Sequence, residues 1–198
     1  DDKVSVHAAI FAGILKKEAF NQNAEDGYVF LVKIHDSDDF SVNTEKFKVE
    51  PYEVFKAVND SSWEVRFKSG LVSQIKSEMK LAGKNETGGV LIGVVNHKTN
   101  TIHVTGLVPA PHDSNATPVC FFRGHQGLPE EIQRIEEGSG GQLGYVGEWH
   151  SHPHGPNGLS EVDMASVRKF KAEFDALVTP LPVFLMVVTP NEILPFVF

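Results

Sequence analysis

Two histidines stand one residue apart in Glu148-Trp149-His150-Ser151-His152-Pro153. Alternate side chains on a strand share a face, so both imidazoles can reach one cation. Pro153 donates no backbone hydrogen bond and ends the ladder there. Six residues, His154 to Leu159, then lead to Ser160-Glu161-Val162-Asp163. Ser160 and Asp163 stand three apart and fall on the first turn of the next helix. Two imidazoles and one carboxylate leave a fourth tetrahedral position open to water, the catalytic form of a zinc site. Zinc lowers the pKa of that water from 15.7 to about 7. Such a site needs a base to relay the proton and a donor for the oxyanion. Glu86, in Asn85-Glu86-Thr87-Gly88-Gly89 ahead of an apolar run, suits the first role; the Ser160 hydroxyl suits the second.

Each element alone has an ordinary reading. His150 and His152 read as surface histidines on a strand, Ser160-x-x-Asp163 as a helix cap, and Glu86 as an exposed turn residue. Their joint spacing favours the metal reading, and a cap is compatible with aiming Asp163 at an ion. His97, His103, His112, His125 and His154 read as solvated or structural. Cys120 reads as a small buried hydrophobe. Gly138 to Gly141 lacks the Gly-Lys-Ser/Thr of a phosphate loop and reads as a flexible linker. Glu148, two residues before His150, shares its strand face; it reads as a partner of a ligand or a substrate contact, ahead of a competitor for the ion.

The elements that must position these groups follow from periodicity. Trp63–Phe67 and Thr101–Val108 alternate as strands, and Gly89–Val95 is a nearly continuous apolar strand. Leu71–Leu81 is amphipathic, with Leu71, Ile75, Met79 and Ala82 on one stripe. Residues 109–127 read as a long loop, 128–137 and 160–174 as helices, and 145–152, 183–189 and 193–198 as strands. Helices among mixed strands predict an α/β (α+β) layered domain. Upstream, 4–20 reads as a helix, 27–35 as a strand, 36–39 as a polar turn and 47–51 as a short strand. The polar run Asn59 to Ser62 sets the expected boundary: an appendage over 1–58 and the motif-bearing domain over 59–198.

Bulk properties narrow the function classes. The chain has 198 residues and a net charge of −8, which opposes sequence-independent nucleic-acid binding. One cysteine excludes an internal disulfide framework and a cysteine-rich zinc finger. No apolar run is long enough for a membrane helix, and the start has no signal-peptide order; the expectation is a cytoplasmic protein with neither membrane nor nucleic-acid partner. The absent initiator Met suggests a fragment. Three Asn-x-Ser/Thr triplets carry no weight without secretion.

His-x-His-Pro, six residues, then Ser-x-x-Asp, with an upstream Glu-x-x-Gly entering a strand, resembles the JAMM signature of the MPN-plus (JAB) zinc metallopeptidase family. Glu86, His150, His152, Ser160 and Asp163 stand at the matching positions, and the element order from about residue 62 to 198 fits that family's fold, a mixed sheet flanked by helices in cytidine-deaminase-like layers. The resemblance implies one zinc per chain on His150, His152 and Asp163, Glu86 as general acid/base, and Ser160 steadying the tetrahedral intermediate. It also implies cleavage of the amide after the tail of a ubiquitin-like protein, by deconjugation or precursor processing. By position, residues 109–143 are the family's first insertion, where relatives contact that protein. Phe121, Phe122, Leu128 and Ile132 are then apolar anchor candidates and Arg123 a polar one, beside the plainer reading that they only pack the loop. A narrow groove would suit a glycine-bearing tail lying alongside as an added strand.

The Gly-Glu-Trp-His-Ser-His-Pro wording looks bacterial, and residues 1–58 faintly resemble the end of a ThiF-like adenylation domain. That implies an activating-enzyme fusion, or a conjugating-enzyme-like partner in one operon, in an antiphage system. Three rivals stand beside this reading: an inactive MPN scaffold, a RadC-like protein, and a peptidase that trims a sulfur-carrier protein.

Overall fold

The structure, a computed structural model, describes residues 27–36, 39–47, 51–177 and 180–198. The chain divides into two compact units, Asp1–Glu50 and Pro51–Phe198. In the first, β1 (Gly27–Asp36) and β2 (Asp39–Phe47) form an antiparallel hairpin. The expected strand over 27–35 is β1; its partner begins earlier than the expected 47–51 segment, with Val42 opposite Val32. The helix expected over 4–20 lies outside the described residues.

The second unit holds a seven-stranded mixed sheet in the order β11-β10-β9-β5-β6-β4-β3. Its strands are β3 (Tyr52–Lys56), β4 (Glu64–Lys68), β5 (Gly88–Asn96), β6 (Thr101–Pro109), β9 (Gly144–Ser151), β10 (Phe184–Val188) and β11 (Ile193–Val197). The β9/β10 and β4/β6 pairs are parallel and the others antiparallel. Residues 109–127, expected as a loop, also contain a two-stranded hairpin, β7 (Asn115–Thr117) and β8 (Cys120–Phe122).

Three helices cover the sheet's two faces. Helix α1 (Leu71–Ala82) buries Leu71, Ile75 and Met79 of the predicted stripe and adds Val72, while Ala82 is half-buried. They join Val65, Phe67, Leu91, Val104, Trp149 and Met186 in the main core. Helix α2 (Leu128–Gly138) packs Leu128 and Ile132 against Val90 and Ile92. Helix α3 (Glu161–Asp175) packs Val167 and Phe170 against Val183 and Leu185. Adjacent residues of β5 and β10 thus feed opposite cores, as a pleated strand buried on both faces requires. Phe67, Trp149 and Met186 are essentially inaccessible to solvent, and each such side chain contributes about 1.5–3 kcal/mol relative to exposure.

Two differences from the sequence reading have physical causes. The compact unit includes β3, which lies before the expected boundary at residue 59. The Asn59–Ser62 run is a turn tied into the fold: Val58 N donates to Pro195 O at 2.8 Å, and Asn59 exchanges two bonds with Val197. Gly138 to Gly141, read both as the close of the 128–137 helix and as a flexible linker, closes α2 and is pinned to it. Gly141 N donates to Glu136 O at 2.8 Å, and Gly140 and Gly141 take the left-handed conformation that glycine adopts cheaply. Among the described residues no helix is long and apolar enough to cross a membrane.

Candidate metal centre

Strand β9 sits between β5 and β10, so its register is held from both sides. His150 pairs with Gly88 across β5 and with Val187 across β10. Just past the strand, His152 N still donates to Val188 O at 2.8 Å. Both imidazoles are buried, with Nε2 atoms 3.0 Å apart. His152 Nδ1 lies 3.1 Å from the Pro156 carbonyl oxygen. That acceptor requires the proton on Nδ1 and leaves the Nε2 lone pair facing His150.

Helix α3 brings the third group. Ser160 is its N-cap, and the capping box is complete. Asp163 N donates to Ser160 Oγ at 3.2 Å, and Ser160 N donates to Asp163 Oδ2 at 2.7 Å. The cap fixes the carboxylate, whose Oδ1 lies 3.3 Å from His150 Nε2. Capping and aiming are one geometry. One ligand atom from each of His150, His152 and Asp163 lies within 4.8 Å of the others. Burial alone would raise the Asp163 carboxyl. Hydrogen bonding to His150, the His150 charge and the two Ser160 bonds outweigh it and hold the group at about 2. An anionic carboxylate and two converging imidazole nitrogens are a donor set that could hold a divalent cation.

Glu86 stands beside this cluster, 6 % exposed, with Oε1 3.9 Å from His152 Nε2. Burial pushes its carboxyl up, opposed by the charges of His152 and His150. Its own N–H donates to Thr117 O in β7 at 2.8 Å. Two residues on, Gly88 lets β8 and β9 approach: a Cβ there would meet Trp149 O at 2.3 Å and the Phe121 ring at 2.6 Å. The glycine after Glu86 is therefore a packing requirement.

The remaining expected residues line two cavities that meet at Phe121, His150 and Asp163. The smaller, about 170 Å³, holds Glu86, His152 and Ser160, with Pro118, Val119 and Val162 at its rim. The larger, about 320 Å³, runs past Phe122, Arg123, Tyr145 and Glu148 toward Phe170 and Leu185. Glu148 is not in the metal cluster: Arg123 Nη2 donates to its Oε1 at 2.7 Å, and both side chains are largely buried. Burial and the Glu148 charge push the Tyr145 hydroxyl well up. Tyr145 and Glu148 share a face because β9 carries one extra residue there: Ile92 faces Tyr145 while Leu91 faces Gly147. Cys120, expected to be buried, is half-exposed in the smaller cavity's wall. Leu128 and Ile132 face the sheet, where they pack α2. His97 and His103 lie edge-on to Trp63 and Tyr52, and His112, His125 and His154 are exposed. The sequence reading missed Ser151, whose hydroxyl accepts from Thr87 N at 2.9 Å. Its position between the two histidines was the available signal.

The family model of prokaryotic homologs of the JAB domain matches residues 68–194. The chain belongs to that family. The seven-stranded mixed sheet with its three helices is consistent with the JAB fold. A curated relative, the CD-NTase/cGAS isopeptidase of Enterobacter hormaechei subsp. hoffmannii (strain UCI 50), is 39% identical over 108 residues. That match covers 54% of this chain and 58% of the relative, so the chain spans a little over half the relative's length. Among solved structures, protein DSY2949 from Desulfitobacterium hafniense is similar at TM-score 0.44 and 17% identity, over 66% of this chain and 82% of that one.

Proposed function

We propose that this JAB domain is a zinc-dependent isopeptidase that cleaves the amide bond after the C-terminal tail of a ubiquitin-like protein. The observation that carries the reading is the pair Glu86 and Ser160, which share one cavity with the three candidate ligands. An inactive scaffold would have no need to bury Glu86 there at the cost of its carboxylate's hydration. Zinc fits the donor set of two nitrogens and one carboxylate oxygen, and when bound supplies Lewis-acid activation of water and carbonyl.

The chain's own residues then divide the work. Glu86 takes a proton from the attacking water and returns it to the leaving amine. Ser160 Oγ accepts one bond from Asp163 N, which leaves its own hydrogen free to donate to the developing oxyanion. Because Glu86 lines only the smaller of the two cavities, the leaving amine sits there. The carrier's tail lies in the larger cavity, against Phe121, Phe122 and Arg123.

The relative's name, CD-NTase/cGAS isopeptidase, supports a CD-NTase/cGAS-type protein as one partner of the bond; the proposed setting is deconjugation in the bacterial cytoplasm as part of an antiphage system. An activating or conjugating enzyme-like domain in the same protein or operon would supply the substrate. The net charge of −8 weighs against the RadC-like, nucleic-acid reading. A sulfur-carrier substrate would use the same chemistry, and incubation with candidate precursors followed by mass spectrometry separates the two. Glu86→Gln tests the core of the proposal. It should lower kcat by about 10²–10⁴-fold while one zinc per chain remains; a variant that cuts at the wild-type rate refutes the base assignment.

A further inference from the structure

The proton carrier proposed above is the side chain of a loop residue, and something must stop that loop from turning it away. Glu86 precedes β5 and belongs to none of the regular elements. Its N–H is held from one side by Thr117 O in the β7–β8 hairpin. The peptide unit that follows, Glu86 C=O to Thr87 N–H, is a rigid plane. Its orientation sets where the Glu86 Cα–Cβ bond points.

That plane and the next, Thr87 C=O to Gly88 N–H, are each held by Ser151. The Thr87 N–H donates to Ser151 Oγ at 2.9 Å, and Ser151 N donates back to Thr87 O at 2.7 Å. Both backbone polar groups of Thr87 are therefore spent on one residue. Ser151 is fully buried, so no water can replace its oxygen as acceptor. It also stands between His150 and His152, on the strand that carries both imidazoles. The two bonds tie the backbone of Thr87, next to the base, to the residue between the two histidines, across a sequence separation of 64 residues.

We infer that Ser151 is a positioning residue for the proton transfer: its hydroxyl oxygen fixes the Glu86–Thr87 peptide plane and so registers the Glu86 carboxylate against the metal ligands. This rests on Glu86 being the proton carrier. Alanine at 151 keeps the strand and nearly the same volume but removes the acceptor. The Thr87 N–H is then buried without a partner, and the plane is free to rotate toward another one. Displacing a reacting group by about 1 Å costs on the order of a hundredfold in rate.

The experiment uses the full chain loaded with zinc and a ubiquitin-like carrier joined to a lysine-bearing peptide. Four proteins are compared in single turnover: wild type, Ser151→Ala, Glu86→Gln and the double variant. Ser151→Ala should lose about ten- to a hundredfold in kcat with KM and zinc content unchanged. Amide exchange at Thr87 should quicken in the same variant, which reads the lost bond without reference to activity. On the Glu86→Gln background the Ser151→Ala change should have no further effect, because a residue acting through the base cannot act once the base is gone. An unchanged rate in Ser151→Ala overturns the inference, as does an equal loss on both backgrounds, which would mark a general structural role. If Glu86→Gln itself keeps the wild-type rate, the base assignment fails and this inference falls with it.

Discussion

The corner where β9 meets α3 and the hairpin β7–β8 both line the candidate centre, but they are built differently. The corner is local. His150, His152, Ser160 and Asp163 span 14 residues, and a strand, a proline and a capping box place all four. The hairpin is held from outside, by Thr117 O on Glu86 N, by the Phe121 ring over Gly88, and by Arg123 on Glu148. The candidate ligands and Ser160 are thus placed by short-range geometry, and Glu86 and the walls around the reacting bond by long-range contacts.

The sharpest way to break this division is at the corner. His150→Ala removes one of three ligands and leaves the sheet intact, since the backbone pairs of β9 with β5 and β10 do not need the imidazole. Zinc should fall from about one per chain to near zero by elemental analysis, with activity lost entirely and the far-ultraviolet spectrum retained. Activity that survives in a metal-stripped sample would dissolve the distinction between corner and walls.

Ser160→Ala comes next, because the residue holds two roles at once. Losing the oxyanion donor should lower kcat by about 10²–10³-fold. Losing the cap should cost about 1 kcal/mol of stability, read as a lowered midpoint in denaturant. Ser160→Gly tells the roles apart: glycine caps nearly as well as serine but has no hydroxyl, so it should recover most of the stability and none of the rate. A Gly variant that recovered both would reduce Ser160 to a cap.

The same contrast explains what could be read from the amino-acid order. The corner was legible because its spacing is set by period two on a strand and by the fixed offset of a capping box. The strand and helix order from Trp63 onward was legible because its apolar stripes are long. The β7–β8 hairpin was not: its strands are three residues each, β7 is fully exposed, and its tie to the site is a backbone bond from Glu86 N, about thirty residues earlier in the chain, to Thr117 O. Ser151 was missed because its role exists only across 64 residues. Glu148 was read as a partner of a ligand because alternation alone cannot show Arg123, which arrives from the other region. The shared face of Tyr145 and Glu148 depends on an extra residue in β9 that breaks strict alternation.

Glu148 also offers the gentlest test of the comparison, since it sits on the ligand strand yet pairs with the hairpin. Glu148→Gln keeps the shape and removes the charge. Arg123 is then left largely buried, with Nη1 on the Gly124 carbonyl and Nε without a partner. If the pair serves the walls, zinc content and kcat should stay as they were, while KM for the ubiquitin-like carrier rises several-fold, about 1 kcal/mol, as the hairpin loosens. Exchanging the charges, with Arg123→Glu and Glu148→Arg together, should recover part of that loss, which neither single reversal can do. If Glu148 instead competed for the ion, Glu148→Gln would change zinc affinity and leave KM alone, and the residue would belong to the corner after all.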